Sequence, residues 1–155
     1  MSGPADFRLV IPGQPVPASR PRVTRNGTHI APRYRTWKRD ASVRCRRAWK
    51  RKPITMGVAV SIEVTLPRPQ SRPAKGSIHR LYWHPTEDYP LPLRGDADNY
   101  AKAALDALTQ GGVIRDDNLV VELTVTKWGG DTPGVDITVH IVEPEGADIS
   151  GVAAK

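Results

Sequence analysis

Val58-Ala59-Val60-Ser61-Ile62-Glu63-Val64-Thr65-Leu66 is the most regular stretch of the chain. Val58, Val60, Ile62, Val64 and Leu66 fall on alternate positions, and Ala59, Ser61, Glu63 and Thr65 take the others. Successive side chains of a strand point to opposite faces, so the stretch reads as a half-buried β-strand. Pro67 and Pro69 close it, because proline cannot donate to a strand ladder.

On the N-terminal side, Phe7 to Ile11 reads as a short opening strand ended by Pro12-Gly13. Gly13 to Pro32, crowded with Pro, Gly and Arg, reads as a loop or extended arm. From about Tyr34 to Lys50 the apolar positions Tyr34, Trp37, Ala41, Cys45 and Ala48 recur at helical spacing among Lys38, Arg39, Arg44, Arg46, Arg47 and Lys50. On the C-terminal side, residues 67–95 hold repeated prolines and little periodicity, so a long, mobile loop is expected. Its Arg68, Arg72, Lys75 and Arg80 beside Tyr82 and Trp83 suit phosphates and unstacked bases. The plainer alternative is an insertion that packs its aromatics on the body of the fold.

A second helix is expected from Asp98 or Asn99 to Gln110, with Ala101, Ala104, Leu105 and Leu108 inward and Gly111-Gly112 as its stop. Leu119 to Trp128 and Val135 to Val142 read as strands joined through a turn at Gly129 to Gly134, an expected antiparallel hairpin. The order β, α, β, α, β, β gives an α/β or α+β fold. A single domain spanning residues 1–155 is expected, with a mixed sheet of about four strands covered by two helices and a frayed tail at 144–155.

The net charge of +7 is unevenly spread. Residues 1–52 carry 14 of the 23 Lys and Arg against Asp6 and Asp40, a local charge of +12. Residues 86–155 carry 13 of the 16 acids against 5 bases, a local charge of −8. A basic surface facing an acidic centre suits a metal-dependent phosphodiesterase, the bases holding phosphates and the acids a cation. Solvated charge of both signs is the plain alternative. No apolar run approaches the roughly 18 residues of a membrane span, and Met1 to Asp6 lacks a secretory pattern. A single cysteine, Cys45, leaves no internal disulfide and reads as a core residue. The four histidines show no zinc spacing. A cytoplasmic protein with no membrane partner and no small-molecule cofactor is expected.

Asp96-Ala97-Asp98-Asn99 stands where the Pro-rich segment enters the second helix. One aspartate there is explained as an N-cap. The second acid, two residues away, adds repulsion that a hard divalent cation would relieve. Asp116-Asp117 forms a second acidic pair before the next strand; an Asp-rich turn is its plain reading. The helix between the pairs is about three turns long, so its return strand can bring them together. An EF-hand is excluded, since the sixth residue from Asp96 is Ala101 and the twelfth is Ala107. Lys102 lies four residues after Asp98 and four before Asp106. It serves either in a surface salt-bridge ladder or as an ammonium aimed at a phosphorane.

The run Asp96-Ala97-Asp98-Asn99-Tyr100-Ala101-Lys102-Ala103-Ala104-Leu105-Asp106-Ala107-Leu108, followed by Gly112-Val113-Ile114-Arg115-Asp116-Asp117, resembles the signature of RusA-like Holliday-junction resolvases. Gly13-Gln14-Pro15-Val16-Pro17-Ala18-Ser19-Arg20-Pro21-Arg22 and Tyr34-Arg35-Thr36-Trp37-Lys38 resemble the family's N-terminal pattern, so the likeness extends from about Phe7 to Val142. The resemblance implies a homodimer, often of phage or prophage origin, that binds four-way DNA. It implies Mg²⁺-dependent cuts on paired strands, with Mn²⁺ as a substitute, leaving nicks a ligase can seal. Asp96, Asp98 and Asp117 match the family's essential carboxylates and Lys102 its catalytic lysine. Asp116 joins the expected metal set, with one or two ions bound. Arg20, Arg22, Arg25, Arg33, Lys38, Arg94 and Asn99 are the expected DNA contacts, with the basic helix beside them. The departures are the long 67–95 segment and Arg94-Gly95 before the first aspartate, where a basic residue plus proline is frequent; they bear on junction sequence preference. The competing functional reading is a non-catalytic basic module that binds branched DNA or RNA.

Overall fold

The Val58 stretch lies at the centre of the sheet, with the rest of the chain disposed about it. The computed structural model describes residues 5–146; part of the tail expected to be frayed, 147–155, lies outside them. In chain order the elements are β1 (Phe7–Pro12), β2 (Arg22–Thr24), β3 (Gly27–His29), α1 (Pro32–Ala48), β4 (Val58–Pro67) and α2 (Ile78–Tyr82). There follow β5 (Tyr89–Pro90), α3 (Ala97–Gln110), a 3-10 turn at Asp117–Leu119, β6 (Val120–Gly130) and β7 (Gly134–Ile141). β2 and β3 make a small hairpin inside the expected arm.

The main sheet has the order β1-β7-β4-β6-β5. It is mixed, as expected, but has five strands and not four, and a third, short helix lies in the 67–95 segment. The expected hairpin of the last two strands is not formed. β4 sits between them, parallel to β6 and antiparallel to β7. Three residues, 131–133, join β6 to β7 past the end of β4. Four Cα steps of 3.8 Å readily cover the roughly 10 Å of two strand spacings. The local alternation of β6 and β7 is the same for a hairpin as for a pair split by a third strand. The stretch able to bury most apolar surface takes the middle place.

Register aligns the strands into three rows on the helix-covered face. These are Phe7–Val139–Val60–Leu123, Leu9–Ile137–Ile62–Val125 and Ile11–Val135–Val64–Lys127. Val60, Ile62, Val64, Val135, Ile137 and Val139 are buried. The third row ends in a lysine.

α1 and α3 cover this face. α1 starts at Pro32, whose fixed φ suits the first helical position, and buries Tyr34, Ala41, Ser42 and Cys45 while its arginines stay outside, because its apolar residues recur on one face. α3 buries Tyr100, Ala101, Ala103, Ala104, Ala107 and Leu108. Its alanines let the helices approach closely. A Cβ on Gly111, just past α3, would lie 2.4 Å from the Cys45 Cβ and 2.8 Å from the carbonyls of Ser42 and Ala107. Burial pushes the Cys45 thiol up to about 12, which fits the core role read for it and excludes a thiolate at neutral pH.

The 67–95 segment is anchored to the body of the fold. The Arg68 guanidinium, its side chain only 8% exposed, pairs with Asp131 at 2.9 Å, donates to the carbonyls of His84 and Glu87 and lies over the Tyr89 ring. His79 is buried with Nε2 2.7 Å from the Tyr89 hydroxyl. The Tyr89 ring packs where a side chain on Gly129 would stand. Of the two aromatics named from the sequence, Trp83 packs against the core while Tyr82 stays 47% exposed, so the plainer alternative holds for Trp83 only; Arg68 is a staple for the segment instead of a phosphate contact.

Two expected outcomes follow from this packing. Gly111→Ala should lower stability by about 1–3 kcal/mol in urea unfolding, because the clash with Cys45 outweighs a helix-propensity gain of at most about 1 kcal/mol. Burial, then the nearby Arg94 charge, hold the His79 pKa below its ordinary 6.5. The unfolded chain therefore binds the proton more readily, so stability is complete above 6.5 and falls as the pH drops below it. Urea midpoints between pH 7.5 and 5 should show this fall, and His79→Gln should flatten it.

Candidate active site

Along one flank of α3 runs an open hollow of about 440 Å³, lined by Ala97, Asp98, Ala101, Lys102, Leu105, Asp117, Leu123 and Val125. The parallel connection from β4 through α3 to β6 creates it. α3 crosses the sheet above β6, and the chain returns through the 3-10 turn to start that strand. Leu123 and Val125 are the β6 ends of two apolar rows and form the floor. Leu123 remains 44% exposed.

Asp98, Lys102 and Asp117 thus share one site. Asp98 lies in the first turn of α3, whose unpaired amides and positive dipole end favour anions. Asp96 occupies the N-cap position of the same helix, yet its carboxylate makes no capping bond. Among the described residues, the side chains of Asp96, Asp98 and Asp117 have no hydrogen-bond or ion-pair partner. Asp116 is different: its carboxylate accepts from the Asn118 amide at 2.9 Å and caps the 3-10 turn. The second acidic pair is therefore divided, Asp116 toward its own backbone and Asp117 toward the hollow.

Lys102 lies 3.8 Å from Asp106, with its side chain 63% exposed. The Tyr34 hydroxyl also donates to Asp106. Burial, with this bond adding to it, pushes that phenol above its ordinary pKa and keeps it a donor. Of the salt-bridge ladder read for Lys102, only the rung to Asp106 forms, and Asp98 is left uncommitted.

The donors at the hollow are all carboxylate oxygens, the chemistry a hard cation takes. Among the described residues no group of three His, Cys, Asp or Glu side chains is gathered at metal-holding spacing. Mg²⁺ commonly uses only one or two protein carboxylates and completes its octahedron with waters and substrate phosphate. Asp98 and Asp117 fit that demand at the hollow; Asp96, at the head of α3, does not line it.

The expected nucleic-acid contacts divide into groups. Arg20, Arg22 and Arg25 belong to the arm, tied to α3 by the Ala18 amide donating to the Asn99 carbonyl at 3.0 Å. Arg20 is exposed and Arg25 stands exposed in the turn between β2 and β3. Arg33 is exposed in the first turn of α1, and Lys38 lies over the Tyr34 ring. Asn99 is half-buried. Arg94 has a left-handed φ of 68° and donates to the Pro67 carbonyl at 2.6 Å.

The residue motif alone missed what holds this turn. The Lys127 ammonium donates to the carbonyls of Leu93 and Gly95, and the Tyr100 hydroxyl donates to that of Arg94. The available signal was the polar residue breaking the alternation Leu123, Val125, Lys127.

A hollow that brings two carboxylates and an ammonium together, on a helix whose start is tied to an arginine-bearing arm, suits chemistry on a phosphodiester. The profile of the family described as endodeoxyribonuclease RusA matches residues 12–140, and the chain belongs to that family. No curated protein matches the chain. Among the described residues no helix is long and apolar enough to cross a membrane.

The two members of the second acidic pair should separate in stability measurements. Asp116→Ala should lower stability by about 1 kcal/mol through loss of the cap, and Asp116→Asn by only a few tenths. Asp117→Ala, removing an exposed carboxylate without a protein partner, should leave thermal unfolding unchanged.

Proposed function

We propose that the chain is a Mg²⁺-dependent, structure-specific endodeoxyribonuclease. It resolves four-way DNA junctions by paired nicks in recombination and repair, acting as a cytoplasmic homodimer of phage or prophage origin. The observation that carries the reading is the sharing of one hollow by Asp98, Lys102 and Asp117, in a chain whose family acts on branched DNA.

Asp98 and Asp117, with Asp96, would hold the cation, and Mn²⁺ would occupy the same oxygen donors. Bound there, a divalent cation supplies a polarised water and neutralises charge at a scissile phosphate. The protein's own part is electrostatic and positional. The α3 N-terminus presents unpaired amides and the positive end of its dipole beside Asp96 and Asp98. The Lys102 ammonium, at the rim of the hollow, is within one helical turn of Asp98 and offers a donor to the charge that develops on phosphate oxygens. Leu123 and Val125 give the floor an apolar surface that strengthens those interactions. Arg20, Arg22, Arg25 and Arg33 would hold junction arms through their phosphates, which fix position without reading sequence. A two-fold symmetric junction requires two coordinated cuts, which a two-fold dimer places naturally.

Asp98→Asn tests the reading with a labelled four-way junction. Loss of a group one step removed from a metal costs up to about 100-fold, so loss of a direct ligand should slow cleavage by more than that while junction binding is kept. EDTA should abolish wild-type cleavage and Mg²⁺ or Mn²⁺ restore it. Junction binding without cleavage, indifferent to chelator, would return the chain to a non-catalytic branched-DNA or RNA-binding module.

A further inference from the structure

We propose that Lys127 is a positioning residue of the acid site, holding the turn that delivers Asp96 to the head of α3; this rests on the metal-site reading above. The first observation is its place in the sheet. Lys127 lies on the helix-covered face of β6, in the row Ile11–Val135–Val64–Lys127. Its three companions there are buried aliphatics, so packing by itself favours an aliphatic residue at this position. A lysine half-buried against such a row keeps its stem in apolar surroundings and must find acceptors for its ammonium.

The acceptors it finds are backbone carbonyls. Nζ lies 3.1 Å from the Leu93 carbonyl oxygen and also donates to that of Gly95. The carbonyl between them, of Arg94, accepts from the Tyr100 hydroxyl at 2.8 Å. Three consecutive carbonyls, immediately before Asp96, are thus held from β6 and α3 together. The turn they belong to is an unfavourable one. Arg94 and Gly95 are successive left-handed residues, with φ of 68° and 96°. A non-glycine residue keeps such a conformation only where its surroundings over-determine it. The Tyr100 ring packs so closely on Gly95 that a Cβ there would stand 3.0 Å from it.

Asp96 follows directly, as an N-cap whose carboxylate is not tied to the helix amides. The turn behind it sets the direction in which its Cα–Cβ bond leaves the backbone. Removing a group that orients a metal ligand from one step away typically costs about 10–100-fold in metal affinity.

The sign of the effect separates positioning from simple charge. A cation near a metal site repels the metal, so removing the Lys127 charge alone should strengthen divalent binding. Removing a positioning group should weaken it. The experiment titrates the full chain with Mn²⁺ without DNA, by calorimetry or electron paramagnetic resonance, for the wild type, Lys127→Met, Lys127→Arg and Tyr100→Phe. The inference expects Lys127→Met to bind Mn²⁺ about tenfold or more weakly, with faster hydrogen exchange at the Gly95 and Asp96 amides. Lys127→Arg, which retains donors, should stay within about threefold of the wild type. Junction cleavage by Lys127→Met should need correspondingly more Mg²⁺, with junction affinity and its salt dependence unchanged.

Unchanged or tighter Mn²⁺ binding by Lys127→Met would overturn the inference and leave the nuclease reading standing. A wild type that binds no Mn²⁺ also overturns the inference, whereas the nuclease reading falls only if junction cleavage is absent or indifferent to chelator. If Lys127→Met does not fold, Tyr100→Phe decides by the same criterion, since it removes one hydroxyl and retains the ring packing.

Discussion

The structure depends on the pairing of β4 with two partners of opposite direction. β6 runs parallel to it and β7 antiparallel, so β4 loses both edges and presents Val60, Ile62 and Val64 to the helices. A parallel neighbour cannot be reached by a tight turn and requires a crossover. That crossover is the 67–95 segment followed by α3. The position of α3 above β6 is thus a consequence of how the central strand is paired, and the hollow between them comes with it.

The acid site shows how one helix start can hold charges that would otherwise repel. Asp96 and Asp98 flank the first turn of α3, where unpaired amides favour negative charge. Asp116 spends its carboxylate on its own turn and Asp117 does not. Two acids adjacent in sequence therefore have unequal chemistry. Lys102 is steadied on its other side by Asp106, itself held by Tyr34 from α1. The α1–α3 contact, close because of Gly111 and the alanines, thus reaches into the site through a hydroxyl and a carboxylate.

The 67–95 segment illustrates what composition conceals. Its prolines, arginines and aromatics suit a nucleic-acid loop as well as a packed insertion. The choice between them rests on distant partners. Arg68 finds Asp131 in the turn between β6 and β7, and Tyr89 finds the space above Gly129 near the end of β6. No window along the chain contains both members of either pair. Lys127 is a related case. As a residue it is one more surface lysine, and only register reveals that it closes an aliphatic row beneath the turn leading to Asp96.

By itself the sequence determined what depends on nearest neighbours and on residue type. Alternation marked β4, helical spacing marked α1 and α3 to within two residues of their starts, and the order Asp96, Asp98, Lys102, Asp116, Asp117 marked the family. The tertiary structure alone decided which strands pair, which acids share a hollow and which are consumed by capping, and what the charged residues of the long segment touch. Sheet pairing and side-chain partnership are settled between segments far apart in the chain. There the burial of apolar surface and the satisfaction of polar groups must be met by all of them at once.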